Sequence, residues 1–276
     1  LLLCNDSYPV SIVQGVIKTV GTITGGTSYT NGTYLGVSLT GGQGTQATAD
    51  IVVSGGAVTS VTIRNGGSLY VAELSRILRY DNIEDNLDNP PKPVIVFDAL
   101  PKDEPHGWKY LSMGPDGWLY FNIGAPCNNC VPPETHAQIV RIDPKNGVLE
   151  TVARGVRNSL GITFHPLTKE LWFTNHGRDW LGDDTPNDTM NRLKVGANYG
   201  FPYCHQGNIA DPTVKKDNAC AGVEQPVALM GPHAATMGVM FYTGTMFPPE
   251  YRTRLFIALH GSWNRTPQAG PIGYRI

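Results

Sequence analysis

Three stretches of this chain repeat one design, and the design leaves few folds open. His106 precedes a short run at 111–113, a turn through Gly114, Pro115, Asp116 and Gly117, and an apolar run at 118–123. Some fifty residues on, Arg157 and Asn158 precede a run at 161–164, the turn 165–169 and the run 170–174. His233 precedes 238–242, a turn through Gly244 and the run 254–259. Each copy reads polar residue, strand, tight turn, apolar strand. Further β runs at Gln138–Ile142 and 148–152 lie between copies. A period of about fifty residues with four short strands each is the pattern of β-propeller blades. The expected fold is therefore all-β, a partial β-propeller with about four blades in residues 68–276. In such an array the residue before the first strand of each blade reaches the same end. His106, Arg157, Asn158 and His233 are expected around one central mouth.

Residues 1–67 have another texture. From 20 onward they are built of Gly, Thr, Ser, Val and Ala with almost no charge. Asn31-Gly32 and Gly55-Gly56 punctuate short β runs at 33–39, 48–53 and 58–63, and such pairs between alternating runs signal hairpins. A small antiparallel meander is expected. It resembles the Gly/Thr-rich β segments of phage tail and other bacterial surface proteins and holds no candidate catalytic residue. The pattern changes at Ser68, so the domain boundary is placed at 67/68. The opening Leu1-Leu2-Leu3-Cys4 has neither Met nor a basic leader and reads as the start of a fragment.

Composition closes several routes. Charged residues are 16% of the chain and the net charge is −2, with Lys and Arg scattered, so nothing points to nucleic acid. No apolar run approaches the roughly 18 residues of a membrane span. Cys127 and Cys130 stand in a Pro- and Asn-rich loop, half a zinc site at best. A redox dithiol would sit at a helix start beside a βαβ pattern, which is absent. A small disulfide loop in an exported protein fits better. Cys204 and Cys220 bracket a polar loop and are expected to pair, which leaves Cys4 over.

The richest stretch is 156–202. It runs from Arg157-Asn158 through the apolar Leu171, Trp172 and Phe173 to Asn175-His176-Gly177-Arg178-Asp179. Then follow Asp183, Asp184 and Asp188, read as an acidic loop, and an aromatic turn at Tyr199, Phe201 and Pro202. Several residues have plainer readings. Arg157 could be a strand-end arginine, the three aspartates a solvated loop, and His176 and His205 loop histidines. His165 reads as a turn residue, Trp108, Trp118 and Trp172 as core, and Asp116 as part of a β-turn.

Arg157-Asn158 with Gly161, Leu171-Trp172, Asn175-His176-Gly177, Asp188 to Asn191, and Gly196, Asn198, Tyr199, Gly200, Phe201 and Pro202 together resemble the glucose/sorbosone dehydrogenase family. The block 106–124 and the segment His260-Gly261-Ser262-Trp263-Asn264-Arg265 are similar to its sorbosone dehydrogenase branch. The resemblance spans about 66–276. It implies a six-bladed propeller and a soluble quinoprotein that uses pyrroloquinoline quinone (PQQ) and Ca²⁺ to oxidise an aldose or sorbosone-like sugar. An external electron acceptor and a periplasmic or secreted location go with it. His106 matches the general base, and a near-neutral imidazole suits that task. Arg157 and Asn158 match residues at the quinone oxygens, where a fixed cation stabilises developing negative charge. Gly177 and Arg178 match positions whose carbonyls hold Ca²⁺, with Asp188 near; hard Ca²⁺ prefers such oxygens. Tyr199 matches the tyrosine of the aromatic turn beside that metal loop. His260 stands where glucose-oxidising relatives have lysine, and it and Trp263 fall on the cofactor side.

This chain departs from the pattern at Thr189, where the family commonly has Glu after Asp188; Asp183 and Asp184 are the candidates to compensate. The last blade's basic residues for the PQQ carboxylates would lie beyond Ile276. Two rival classes remain open. A non-catalytic propeller binding module has no need to hold His106, Arg157 and Asn158 together. A Ca²⁺-dependent propeller hydrolase would want more carboxylates on the axis.

Overall fold

The computed structural model describes residues 4–5, 8–9, 11–13, 23, 26–38, 48–65, 67–83 and 86–276. Three four-stranded antiparallel sheets follow one another along the chain. The first joins Ser11–Val13, Ser68–Ala72, Ile77–Asp81 and Val94–Phe97 in that order. The second joins Ser112–Met113, Leu119–Ile123, Gln138–Ile142 and Leu149–Arg154. The third joins Ile162–Phe164, Leu171–Asn175, Asn187–Arg192 and Ala228–Pro232. A fourth begins with Thr236–Phe241 paired to Leu255–Leu259. A short 3₁₀ turn spans Pro249–Tyr251. Among the described residues no helix is long and apolar enough to cross a membrane. The all-β expectation holds.

The sheets stack face to face through alternation along each strand, since successive side chains point to opposite sides. Leu119, Phe121 and Ile123 join Tyr70, Ile77, Val140 and Ile142 in the core between the first and second sheets. Tyr120 and Ile139 turn the other way and meet Val156, Ile162, Phe173 and Tyr199, between the second and third. A strand covered on both faces reads as a continuous apolar run. That explains why 118–123 was easy to recognise. Burying one such side chain contributes about 1.5–3 kcal/mol.

The meander expected in 1–67 is present as Gly32–Ser38, Thr48–Ser54 and Ala57–Asn65. Its turn carries Gly55 and Gly56 at φ 60° and 75°, a left-handed pair that residues with a Cβ seldom adopt. The expected boundary at 67/68 is nonetheless crossed by backbone pairing. Ser11–Val13 pairs with Tyr70 to Ala72 and forms the first strand of the first sheet. The Gly-rich meander therefore interrupts that sheet between its first and second strands.

A second correction concerns the acidic loop. Asp188 does not stand in a loop but in the strand Asn187–Arg192, whose residues 188–191 are buried. Its sequence, Asn-Asp-Thr-Met-Asn-Arg, has no apolar alternation, because its side chains meet hydrogen-bonding partners rather than a hydrocarbon core. Asp183 and Asp184 lie before it and face outward. Asp183 accepts from Thr266 N and Oγ1, each at 2.7 Å, and Asp184 accepts from Arg265 Nη1 at 3.2 Å. Both are engaged by residues 265–266 and line no part of the cleft described below.

Both expected disulfides, Cys127–Cys130 and Cys204–Cys220, are formed. The second closes the excursion between Arg192 and Ala228, which holds the hairpin Cys204–His205 and Ile209–Ala210. That excursion lengthens the interval between the second and third copies of the repeat.

Candidate active site

Of the four residues that precede the inner strands, His106, Arg157 and His233 converge, while Asn158 is buried behind them and lines no part of the cleft. His106, Arg157, His176, Gly177, Asp179, Asp188, His233, Ala235 and Trp263 line one cleft of about 440 Å³, counting space open to solvent. His106 and His233 both adopt left-handed backbone, with φ 52° and 57°. Such a conformation is uncommon for a residue with a Cβ. It recurs here at the same place in two copies, so the repeat extends to the backbone that turns each side chain inward.

Each histidine has a defined proton. His106 Nδ1 lies 2.7 Å from the Ala125 carbonyl oxygen, which can only accept, so Nδ1 carries the hydrogen and Nε2 keeps its lone pair. Burial, then the Arg157 charge, lowers the His106 pKa to about 4, so the ring is neutral at pH 7. Gly124 makes room for it. A Cβ there would stand 2.5 Å from both the Cβ and the carbonyl oxygen of His106. His176 is reversed: Nε2 donates to Thr236 O at 2.5 Å, leaving Nδ1 to accept from Asn158 Nδ2 at 3.5 Å.

Asn158 sits within a relay that crosses three sheets. Buried Asn122 donates to Asn158 Oδ1 at 3.3 Å and to Trp108 O at 3.2 Å. His176, reached by Asn158 Nδ2, leads to Thr236. Thr236 N donates to Asp188 Oδ2 at 3.2 Å, and Gly177 N donates to Asp188 Oδ1 at 2.8 Å. Asp188 is thus a fastener that ties the 177 loop to the fourth sheet.

Arg157 is only 4% exposed. Its Nε donates to Asn128 O at 2.8 Å, and Nη2 donates to Asn128 Oδ1 at 3.0 Å and to Asp179 Oδ2 at 3.1 Å. Burial pulls its pKa down while Asp179 and Asp188 oppose this. Its Nη1 makes no hydrogen bond among the described residues. Asp179 also takes Asn264 Nδ2 at 2.7 Å, and His233 Nε2 donates to Gly182 O at 2.7 Å. Trp263, 66% exposed, stands at the rim edge-to-face with Trp180, 5.2 Å between ring centroids.

Some expected site residues turn their side chains elsewhere. Arg178, expected to act through its backbone carbonyl, sends its side chain away from the cleft. Its guanidinium is held by Asp211 at 2.6 Å, a carboxylate that also accepts from His205 Nε2 at 2.7 Å. Tyr199 packs edge-to-face on Phe173, and its hydroxyl donates to Arg192 O at 2.7 Å and accepts from Lys194 N at 2.9 Å. Its hydroxyl is thus satisfied as donor and acceptor by the 192–194 backbone, and its ring serves the core. His260 is exposed and outside the cleft, its Nδ1 3.3 Å from Gly261 O. Conversely, His176 and Asp179 belong to the cleft although the sequence reading passed His176 over as a loop residue and gave Asp179 no role. His205, read likewise, is buried in a strand. Asp179 carried a signal, since it adjoins Arg178 directly after a recognisable strand end. His165 is the turn residue expected, its Nδ1 accepting from the backbone N–H of Leu167 and Thr168.

The profile of the family described as Glucose / Sorbosone dehydrogenase matches residues 92–262. The chain belongs to the glucose/sorbosone dehydrogenase family. The matched segment includes every cleft residue but Trp263. This glucose/sorbosone dehydrogenase family member is 34% identical over 224 residues to an uncharacterized protein of Borreliella burgdorferi, covering 75% of this chain and 57% of that one. It is 26% identical over 209 residues to a pyrroloquinoline quinone-dependent pyranose dehydrogenase of Coprinopsis cinerea, covering 60% and 27%. The chain thus spans about half of the first relative and about a quarter of the second. Among solved structures it resembles the holo form of the pyranose dehydrogenase PQQ domain from Coprinopsis cinerea, with TM-score 0.61, 18% identity and coverage of 99% and 78%. It also resembles the calcium structure of a Trichoderma reesei carbohydrate-active enzyme of family AA12, with TM-score 0.63, 16% identity and coverage of 99% and 80%. These likenesses show the fold, the propeller of the PQQ dehydrogenases.

Proposed function

We propose that this chain forms the PQQ- and Ca²⁺-binding part of a sugar dehydrogenase that oxidises an aldose or sorbosone-like sugar. The observation that carries this reading is the meeting of a neutral, hydrogen-bond-oriented His106 with the buried cation Arg157 in one cleft. A neutral imidazole with a free Nε2 can accept the proton of a sugar hydroxyl. Arg157 places a fixed positive charge where negative charge would develop, in a site with little water to screen it.

The donor set fits the cofactors. Arg157 Nη1 and Asn158 would hold PQQ at its oxygens, with the Trp263 indole at the rim. The carbonyl oxygens of Gly177 and Arg178 accept no hydrogen bond among the described residues, which suits a hard cation. Backbone carbonyls are the ligands proposed here, because no group of three or more His, Cys, Asp or Glu side chains among the described residues could hold a metal, and Asp188 lies beside them, bonded to Gly177 N. When bound, PQQ supplies the two-electron acceptor for hydride, and Ca²⁺ orients it. The protein's own share is orientation and proton transfer: His106 is fixed through Ala125, Asn158 through Asn122 and His176, and Arg157 through Asn128 and Asp179. Asp179 is committed to Arg157 and Asn264, and Asp188 to the backbone N–H groups of Gly177 and Thr236, which suits supporting roles for both. The two disulfides suit a periplasmic or secreted location. An external electron acceptor completes the cycle.

The test is reconstitution with PQQ and Ca²⁺, followed by dye reduction with a panel of aldoses and sorbosone. A shift in the quinone absorbance and sugar-dependent dye bleaching are expected. Absence of both refutes the reading for this chain.

A further inference from the structure

We infer that Asn128, held inside the four-residue ring closed by Cys127–Cys130, is the positioning residue for Arg157. The inference rests on the reading of Arg157 as the cation beside the quinone. One residue supplies most of the guanidinium's support. The Asn128 carbonyl accepts from Arg157 Nε at 2.8 Å, and its Oδ1 accepts from Arg157 Nη2 at 3.0 Å and from Asp179 N at 2.7 Å. Its Nδ2 donates to Asp179 O at 3.1 Å. Asn128 therefore grips the arginine and both backbone groups of the residue whose carboxylate neutralises it. Two of the three guanidinium nitrogens are spoken for, and Nη1 remains for a ligand.

A loop carbonyl makes a poor clamp unless the loop is fixed. The disulfide closes the backbone on either side of Asn128 and Asn129. Cys127 packs against the small cluster of Ala125, Ala137 and Phe201. Asn129 latches the other side, where its Nδ2 donates to Asp211 Oδ2 and Thr213 Oγ1, each at 3.1 Å. The ring is anchored to core, cleft wall and the 211–213 loop at once. An arginine side chain has about 2 kcal/mol of rotamer entropy to lose. Holding it before the cofactor arrives removes that cost from the binding step. A disulfide that merely stabilised a turn would need none of these contacts to Arg157.

The experiment compares wild type with Asn128→Ala, Asn128→Asp and the double variant Cys127→Ser/Cys130→Ser. The first readout needs no cofactor: the rate of Arg157 adduct formation with phenylglyoxal, mapped by peptide mass, with Arg79, paired to Asp81 in the first sheet, as internal control. The second is PQQ affinity by absorbance titration in the presence of Ca²⁺. Asn128→Ala removes three side-chain hydrogen bonds. It should raise Arg157 reactivity at least fivefold, leave Arg79 within twofold, and weaken PQQ binding about tenfold, as expected for loss of about 1.4 kcal/mol. Asn128→Asp keeps both acceptor functions and should hold Arg157 within twofold of wild type. The double serine variant keeps every atom of Asn128 but opens the ring, and should raise Arg157 reactivity as the alanine does. It also decides the matter if Asn128→Ala does not fold. Unchanged Arg157 reactivity, an equal rise at Arg79, or a rise with Asn128→Asp equal to that with alanine overturns the proposal. If wild type binds no PQQ while Arg157 reactivity still responds, the positioning role stands and the cofactor reading falls.

Discussion

Phe121 and Asn122 are neighbours on one strand, both fully buried, and they serve two interiors that follow different rules. Phe121 enters the hydrocarbon core between the first and second sheets. Asn122 faces the opposite way, into the relay that reaches Asn158, His176 and Asp188. The first interior asks for volume and tolerates exchange of shape. The second asks for a named partner at each polar atom, because a buried donor or acceptor without one costs about 1–3 kcal/mol. The first gives the molecule its stability, and the second holds its chemistry.

The largest effect should come from the polar side without touching stability. His106→Ala is expected to lower sugar-dependent turnover of the PQQ-loaded protein by about 10²–10⁴-fold, the range for loss of a general base. PQQ affinity and melting temperature should stay near wild type, since His106 contributes one hydrogen bond to Ala125. Retained turnover in a steady-state dye assay would remove His106 from the role of base.

Phe121→Ala inverts that result. Loss of a fully buried ring should cost about 3–5 kcal/mol in denaturant unfolding. At temperatures where the variant stays folded, PQQ affinity should not change. If it falls together with stability, the two interiors are coupled and the division drawn above is wrong.

The same division explains what the sequence disclosed. The run at 118–123 announced itself because every position is covered and nearly every side chain is apolar. The inward register of His106, Arg157 and His233 was legible from the repeat. The strand Asn187–Arg192 was not, since a buried polar strand has the composition of a loop. The participation of Asn128 was hidden as well, because nothing local marks a loop carbonyl as an arginine clamp twenty-nine residues ahead of its partner. Tyr199 was drawn toward the metal by its motif. Its hydroxyl in fact ties 192–194 to the aromatic turn. Ser11–Val13 went unseen because three residues are too short for periodicity, and their partner strand lies beyond the meander.

A swap that conserves volume separates the two interiors more sharply. Phe121→Leu should cost under about 1.5–2 kcal/mol if the core repacks. Asn122→Leu is similar in size, but it strands Trp108 O, Tyr110 N and Asn158 Oδ1, which Asn122 now serves at 3.2, 3.4 and 3.3 Å. About 2 kcal/mol of destabilisation is expected from those lost partners, together with weaker PQQ binding as Asn158 loosens. Equal effects of the two swaps on PQQ affinity would show that the relay does not hold Asn158.

The smallest effect is a dependence on pH that the polar interior should impose and the apolar one should not. The His106 pKa is lowered from 6.5 to about 4, by burial first and then by the Arg157 charge. His205 is lowered too, because burial and the nearby arginines outweigh Asp211. Between pH 6.5 and the folded values the unfolded chain binds protons that the folded chain does not. Stability therefore rises with pH across that window. The His106 contribution is complete above pH 6.5 and is lost as pH falls toward 4, and His205 acts in the same direction. Denaturant unfolding from pH 7 down to pH 4 should show this decline, and His106→Ala should flatten part of it. The imidazole of His106, followed by NMR in the cofactor-free protein, should titrate near 4 and move upward in Arg157→Gln. The Phe121→Leu swap should leave both curves where they were. A His106 that titrates at its ordinary 6.5 would mean that the cleft is wetter than its geometry indicates, and that Ala125 orients the ring without burial or the Arg157 charge keeping it neutral.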